Sequence, residues 1–588
     1  MVQKKHTVHL ASDYLPALAT DIGSTVIMLG PDQSYASRRI IAQDQSDANS
    51  GLPQVLWMAG FLPVQKGFAS VDYIQVNVGG AITSYTFVDE LHEMRGADPG
   101  EYIKLAVAHS TTTSDSVILY ATPGTGWRVA LGVTLPASSV PILSVARAQG
   151  QDYLLIRGVG LFVYTWSSDS WALLSMGGLV DTDILGLVAV SGYLLAYDQD
   201  SIAWSTTLNL VPDPSLRSTA YALGDTVYED GFTFLCTTAG TTDVTEPAWL
   251  TASPTLADGT LVWTFTQTII DFVPSETTGA GGGAIEDATG PIVYAKPIVG
   301  GCIIYTTTNA VAALYTNNAT FPFIFKPINS CGGVRSGHYV TDSDTQNGHY
   351  VWTGKGLQLV STTGAKAVFG EWARCVEATL LLGKAPLYAW DSGAGTVTST
   401  LIDVDFTQLV FCGGRYLCAA IEAYIFVYDV TLSRGGSIFN QGFIFDHEWA
   451  EDLVMSSTKS VGTIGSYGPT GILSAVLPFG NGATPSSGFI MLGNFKHVLE
   501  QDITLCGIEL FSTAMNATAV ILAAYLLISY DGRTWGKSVP LTVDSSKAAT
   551  GYFKIDCCEE GVSVALFMQC NINLSQMVLT YTSGGHTT

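Results

Sequence analysis

Short apolar runs of four to seven residues, separated by tight polar turns, make up most of this chain. The runs are rich in Val, Ile, Tyr, Phe and Thr, and the turns in Gly, Asp, Asn and Ser. Apolar positions at helical spacing are scarce. The pattern predicts many short antiparallel strands, because β-branched and aromatic side chains fit a pleated surface while Gly, Asn and Asp close the turns. One unit recurs loosely: a Gly-aromatic or Gly-Gly turn, an apolar strand, a polar turn and a second apolar strand. It is found at 150–166 (GQDYLLIRGVGLFVYTW), 191–204 (SGYLLAYDQDSIAW), 300–315 (GGCIIYTTTNAVAALY), 348–360 (GHYVWTGKGLQLV) and 413–428 (GGRYLCAAIEAYIFVY). A two-stranded ribbon cannot bury both of its faces alone, whereas ribbons stacked radially share a core and leave few free edges. The expected fold is therefore all-β, with an irregular β-propeller at its centre. The competing arrangement is a series of unrelated sandwiches.

The starts of these units lie 41, 109, 48 and 65 residues apart. The long interval holds a segment with its own alternating strands and its own aromatics, Tyr221, Tyr228, Phe232, Phe234, Trp249 and Trp263. Without it the interval falls to about 50, near the length of a propeller blade. Residues 211–271 are thus expected to form an inserted small β module. A module whose ends lie close together enters a surface loop at little entropic cost. The remaining boundaries follow from texture. Residues 1–95 read as an N-terminal β region or platform, 96–210 with 272–465 as the propeller, and 466–588 as a C-terminal β-sandwich of longer strands.

Composition narrows the function. Only 13% of residues are charged and 47% are apolar, against about 25% charged in an average domain, so large buried cores are expected and general disorder is excluded. The net charge is −24. Broad nucleic-acid binding needs clustered cations to displace counterions and is not expected. Lys4 and Lys5 are not followed by an apolar run, so a secretory signal is not expected. The longest apolar stretch, 519–528 (AVILAAYLLI), is too short for a membrane helix. The ten cysteines include no Cys-x-x-Cys pair. They read as free buried thiols, which suits assembly in a reducing cytoplasm.

Few motifs point to chemistry. The glycine run 279–283 (GAGGG) lacks the Gly-Lys-Ser/Thr ending of a phosphate loop and reads as a closely packed turn. Residues 529–535 (SYDGRTW) resemble the Asp-box hairpin of sialidases with one residue missing between Asp531 and Gly532. That box is a structural turn, here with Trp535 covering the core. Asp446, His447 and Glu448, followed by Glu451 and Asp452, gather oxygen and imidazole donors but show no ligand spacing, and an acidic solvated loop is the simpler reading. There is no His-Glu-x-x-His and no Gly-x-Ser-x-Gly. No catalytic, cofactor or metal residues are expected. The candidate binding residues are Trp249, Trp263 and Tyr228 in the insert, whose rings would stack on sugar faces unless they simply form the module's core.

The segments WSTTL at 204–208 and DFVPSETTGAGGGAIEDATGPIVYAKPIVGGCIIYTTTNAVAALYTNNATFPFIFKPINSCGGV at 271–334 resemble virion proteins of short-tailed bacteriophages, namely tail nozzle or packaged-DNA stabilisation proteins. The segment AYLLISYDGRTWGKSVPL and the strand-rich ending after it look like the end of that family. The insert's GDTVYEDGFTFLC, TEPAWL and DGTLVW are similar to small carbohydrate-binding-like modules of phage tail and chitinase-type proteins. The resemblance implies an irregular propeller protomer, six copies of which form a ring below the portal and adaptor. The ring would extend and gate the DNA channel, carry tail fibres or spikes, and let DNA pass without specific binding. It implies a virion location after assembly in the host cytoplasm, and no enzymatic activity. A receptor- or glycan-binding tail protein is the alternative, and a propeller glycosidase a third.

Overall fold

The computed structural model describes residues 143–373 almost continuously and, on either side, mainly the strands themselves. Seven successive four-strand antiparallel units are found among the described residues. Blade one is Phe87–Arg95, Tyr102–His109, Ser116–Ala121 and Arg128–Val129, and blade two is Leu143–Ala148, Gln151–Ile156, Gly160–Thr165 and Ser170–Gly177. Blade three is Gly186–Val190, Tyr193–Tyr197 and Ser201–Trp204, completed by Gly281–Ala284. Blade four runs from Ile292–Ile298 to Phe323–Pro327, blade five from Val340–Asp342 to Gly364–Ala367, and blade six from Phe406–Cys412 to Arg434–Phe439. Blade seven joins Phe443–Phe445, Val454–Ser457 and Leu473–Val476 to Ile74–Asn77, a strand from near the start of the chain.

The first strand of each blade is the inner one. Leu143–Ala148 packs against both Phe87–Arg95 and Gly186–Val190, and Gly186–Val190 packs against Ile292–Ile298. The 3-10 turn Gly337–Tyr339 that opens blade five touches Ile292–Ile298 and Phe406–Cys412. Phe406–Cys412 meets Phe443–Phe445, which returns to Phe87–Arg95 and closes the wheel. The five units seen as sequence repeats are the second and third strands of blades two to six.

Strand period explains why these strands read as continuous apolar runs. In blade two Leu154 and Ile156 pack with Leu105, Val107 and Tyr120 of blade one, while Tyr153 and Leu155 pack with Leu187 and Leu194 of blade three. In blade four Cys302 and Ile304 face blade three, and Ile303 and Tyr305 face Val340, Val351 and Val360 of blade five. Successive residues point to opposite faces, and both faces are buried.

The described strands of residues 1–95 are shared out among the other parts. Gln3–His9 pairs with Leu574–Ser583, and Gln54–Ala59 with Gly488–Gly493. The hairpin Phe61–Pro63 and Phe68–Ser70 links Arg434–Phe439 of blade six to Leu574–Ser583, so one sheet runs from the propeller into the C-terminal sandwich. The second sandwich sheet holds Gln54–Ala59, Gly488–Gly493, Ser563–Cys570, Ile521–Ser529 and Lys537–Pro540.

The insert leaves after Ser201–Trp204 and forms a separate four-stranded sheet with a small two-stranded one. Its return strand, Ile269–Asp271, lies parallel to Ser170–Gly177 of blade two before the chain completes blade three. Among the described residues no helix is long and apolar enough to cross a membrane.

Candidate functional site

Among the described residues a cavity of about 270 Å³ opens at the propeller axis. Its lining comes from the beginnings of inner strands and from turns on the same side: Glu90 of blade one, Ser144 and Arg157 of blade two, Leu185, Tyr197 and Gln199 of blade three, Ile292 to Tyr294 of blade four, and Arg335 to His338 of blade five. Of the lining, Glu90, Tyr197 and Ile292 are buried, and Arg157, Gln199 and Arg335 are exposed.

Glu90, His92 and Met94 alternate along the first inner strand, and all three side chains are buried. His92 Nε2 lies 2.8 Å from Glu90 Oε1, and His338 Nε2 approaches the same oxygen at 3.9 Å. Burial lowers the His338 pKa below the usual histidine range; nearby Glu90 opposes the shift and His92 adds to it. Two glycines shape the walls. A Cβ at Gly186 would overlap the Tyr197 phenol, and one at Gly337 would sit 2.8 Å from the Tyr294 ring. Ser144 is committed to the fold, since its Oγ donates to the Leu187 carbonyl and accepts from the Leu187 amide, both at 3.0 Å.

Glycoside hydrolysis by the usual route needs two carboxylates flanking the bond. Among the described residues lining the cavity Glu90 is the single one. No group of three or more His, Cys, Asp or Glu side chains is placed to hold a metal among the described residues.

A second buried polar group staples blades four and five. The Tyr305 hydroxyl lies 2.8 Å from His349 Nδ1, and His349 Nε2 lies 2.9 Å from the Pro297 carbonyl. A carbonyl only accepts, so Nε2 carries the proton and Nδ1 accepts from Tyr305. Burial holds the His349 pKa at about 4, and nearby Lys296 contributes in the same direction.

The residues singled out in the sequence fall as follows. Trp263 is fully buried and Trp249 is 7% exposed, packed with Val227, Phe234, Cys236 and Leu261 as the core of the insert. The Trp263 indole donates to Asp258, whose carboxylate also accepts from Arg217 at 3.0 Å and from the Asp243 amide at 2.9 Å. Neither indole presents an open face. Tyr228 lies in the strand Thr226–Glu229. The glycine run forms the outer strand of blade three, Gly281–Ala284, laid against Trp204, whose indole donates to the Gly279 carbonyl at 3.1 Å. Strands Ile521–Ser529 and Lys537–Pro540 pair as a hairpin, but residues 530–536, with Asp531, Gly532 and Trp535, lie outside the described residues. So do Asp446, His447, Glu448, Glu451 and Asp452. Cys236, Cys302, Cys331 and Cys418 are free and buried, and Cys570 is buried. Burial raises the Cys302 and Cys331 thiols to about 12, which keeps them protonated and inert.

The cavity residues escaped the sequence reading. Glu90-x-His92 in FVDELHEMR is an alternating polar pair, which usually marks a solvated strand face. Only the closure of the wheel turns that face inward.

No protein-family model matches the chain, and no curated protein matches it. Among solved structures it is similar to YCF48 bound to D1 peptide, at 11% identity over 70% of this chain and 100% of that one, with a TM-score of 0.28. It is also similar to YCF48 from Cyanidioschyzon merolae, at 11% identity over 60% of this chain and 96% of that one, TM-score 0.22. A third is an exo-β-1,3-galactanase from Phanerochaete chrysosporium with galactose, at 10% identity over 89% of this chain and 95% of that one, TM-score 0.19. Scores this low carry no argument about activity. The fold class, an all-β irregular propeller with an inserted module and a C-terminal sandwich, stands on the sheet pairing itself.

Proposed function

We propose that this chain is a virion structural protein, a tail nozzle subunit that assembles with copies of itself into a ring around a DNA passage. The observation that supports this reading most directly is the way the two ends of the chain are bound into its middle. A strand from residues 74–77 closes the propeller, and one sheet continues from blade six through residues 61–70 into the sandwich. The propeller and the sandwich are thus tied together through strands from near the start of the chain, which suits a pressure-bearing wall. A cavity of about 270 Å³ does not admit a duplex, so on this reading the passage lies between subunits. The net charge of −24 suits a lining that repels phosphates and lets DNA slide. A closed cyclic oligomer, six-fold by the family resemblance, would dock on an adaptor above and carry fibres or spikes at its rim.

Mass measurement of the purified chain, alone and on adaptor-bearing capsids, tests the proposal. A ring on the capsids supports it. A stable monomer that forms no ring there overturns it.

A further inference from the structure

We propose that the axial cavity is a binding site for one acidic sugar residue of the hexuronate class, with its carboxylate at Arg157 and Arg335 and its hydroxyls at Glu90. The site goes beyond the structural role above and does not depend on it.

Three observations carry the inference. First, the chain has 26 basic residues against 50 acidic ones, yet the cavity lining holds two arginines and a single carboxylate. Guanidinium groups offer planar paired donors that match a carboxylate, and both arginines line the cavity while exposed to solvent. Second, Glu90 lines the cavity at 4% exposure with His92 2.8 Å away. A buried carboxylate facing a cavity accepts hydrogen bonds from hydroxyls, while it repels a second anion. The ligand therefore needs its charge at the outer end and its hydroxyls at the inner end. Third, a volume of about 270 Å³ lies just under the usual range of about 300–1,000 Å³ for ligand pockets, which suits one pyranose ring and excludes a longer chain inside. Tyr294, set against Gly337, supplies an aromatic wall for the ring.

The test is titration of the full chain with D-glucuronate, D-glucose and glucose 6-phosphate, followed by calorimetry or ligand-observed NMR. Glucuronate is expected to saturate one site, and glucose to bind at least about tenfold more weakly, a difference of about 1.4 kcal/mol. Arg157→Ala and Arg335→Ala should each weaken glucuronate about fivefold or more with unchanged melting, because both side chains are exposed. Glu90→Gln should weaken it as well; should that variant fail to fold, the arginine variants carry the test. Absence of saturation by glucuronate, equal binding of glucose, tighter binding of glucose 6-phosphate, or wild-type binding by both arginine variants would overturn the proposal.

Discussion

His349 shows what burial does to a single titratable group. Its two ring nitrogens are occupied by Tyr305 and the Pro297 carbonyl, and the neutral form is held with a pKa of about 4 against an ordinary 6.5. As pH falls, the unfolded chain takes up the proton first. The resulting stabilisation is full above pH 6.5, declines as pH falls, and is gone by about pH 4. It amounts to at most about 3 kcal/mol. Melting followed from pH 7 to 4 should show this decline, and His349→Gln should flatten it while lowering the plateau. Tyr305→Phe leaves Nδ1 without its donor in a buried site, and a loss of about 1–3 kcal/mol is expected in denaturant unfolding at pH 7. The identity of this histidine gave no hint of such a role, because its partners lie 44 and 52 residues away along the chain.

At the scale of elements, the outer strand of blade three offers a sharp comparison. A Cβ at Gly282 would lie 2.7 Å from the Ile202 carbonyl oxygen, a backbone atom that cannot swing aside, whereas a Cβ at Gly283 meets nothing within 4 Å. Gly282→Ala is expected to cost about 1–3 kcal/mol, and Gly283→Ala almost nothing, as read by thermal melting of the two variants side by side. The insert is a second element with its own core. Trp263→Ala should cost that module about 3–5 kcal/mol. Limited proteolysis would then cut within 215–266 while the blades stay protected. Cleavage spread through the propeller would show instead that the module and the wheel unfold together.

For the whole molecule, closure is the decisive event. The last blade takes its fourth strand from Ile74–Asn77, whose Val76 pairs with Ser474. Successive amides of this edge strand point to opposite sides, so proline at one of the two positions 75 and 76 removes a hydrogen bond from the ladder. Of Gln75→Pro and Val76→Pro, at least one is expected to lower the melting temperature by several degrees and to expose the ring to protease. If both variants melt as the wild type does, the closure described here does not hold the wheel. The class of fold could be read from the chain because strands buried on both faces leave continuous apolar runs, and blades two to six each left one. Blade one was not legible as a repeat, since the connection between Tyr102–His109 and Ser116–Ala121 is six residues long, where the matching turns of blades two to six have two or three. Blade seven was not legible because its strands come from opposite ends of the chain. The axial cavity was illegible for the same reason. Glu90, Arg157, Arg335 and His338 meet only after five blades have been brought around one axis.

Local pattern therefore determined the all-β class, the recurring hairpins and the position of the insert, since these depend on side-chain period and turn chemistry within a few dozen residues. The number of blades, the lacing of the early strands into late sheets, and the gathering of Arg157, Arg335 and the buried Glu90 around one cavity were decided by tertiary structure. They rest on contacts between segments up to several hundred residues apart, and such pairings leave no periodic trace in the order of the amino acids.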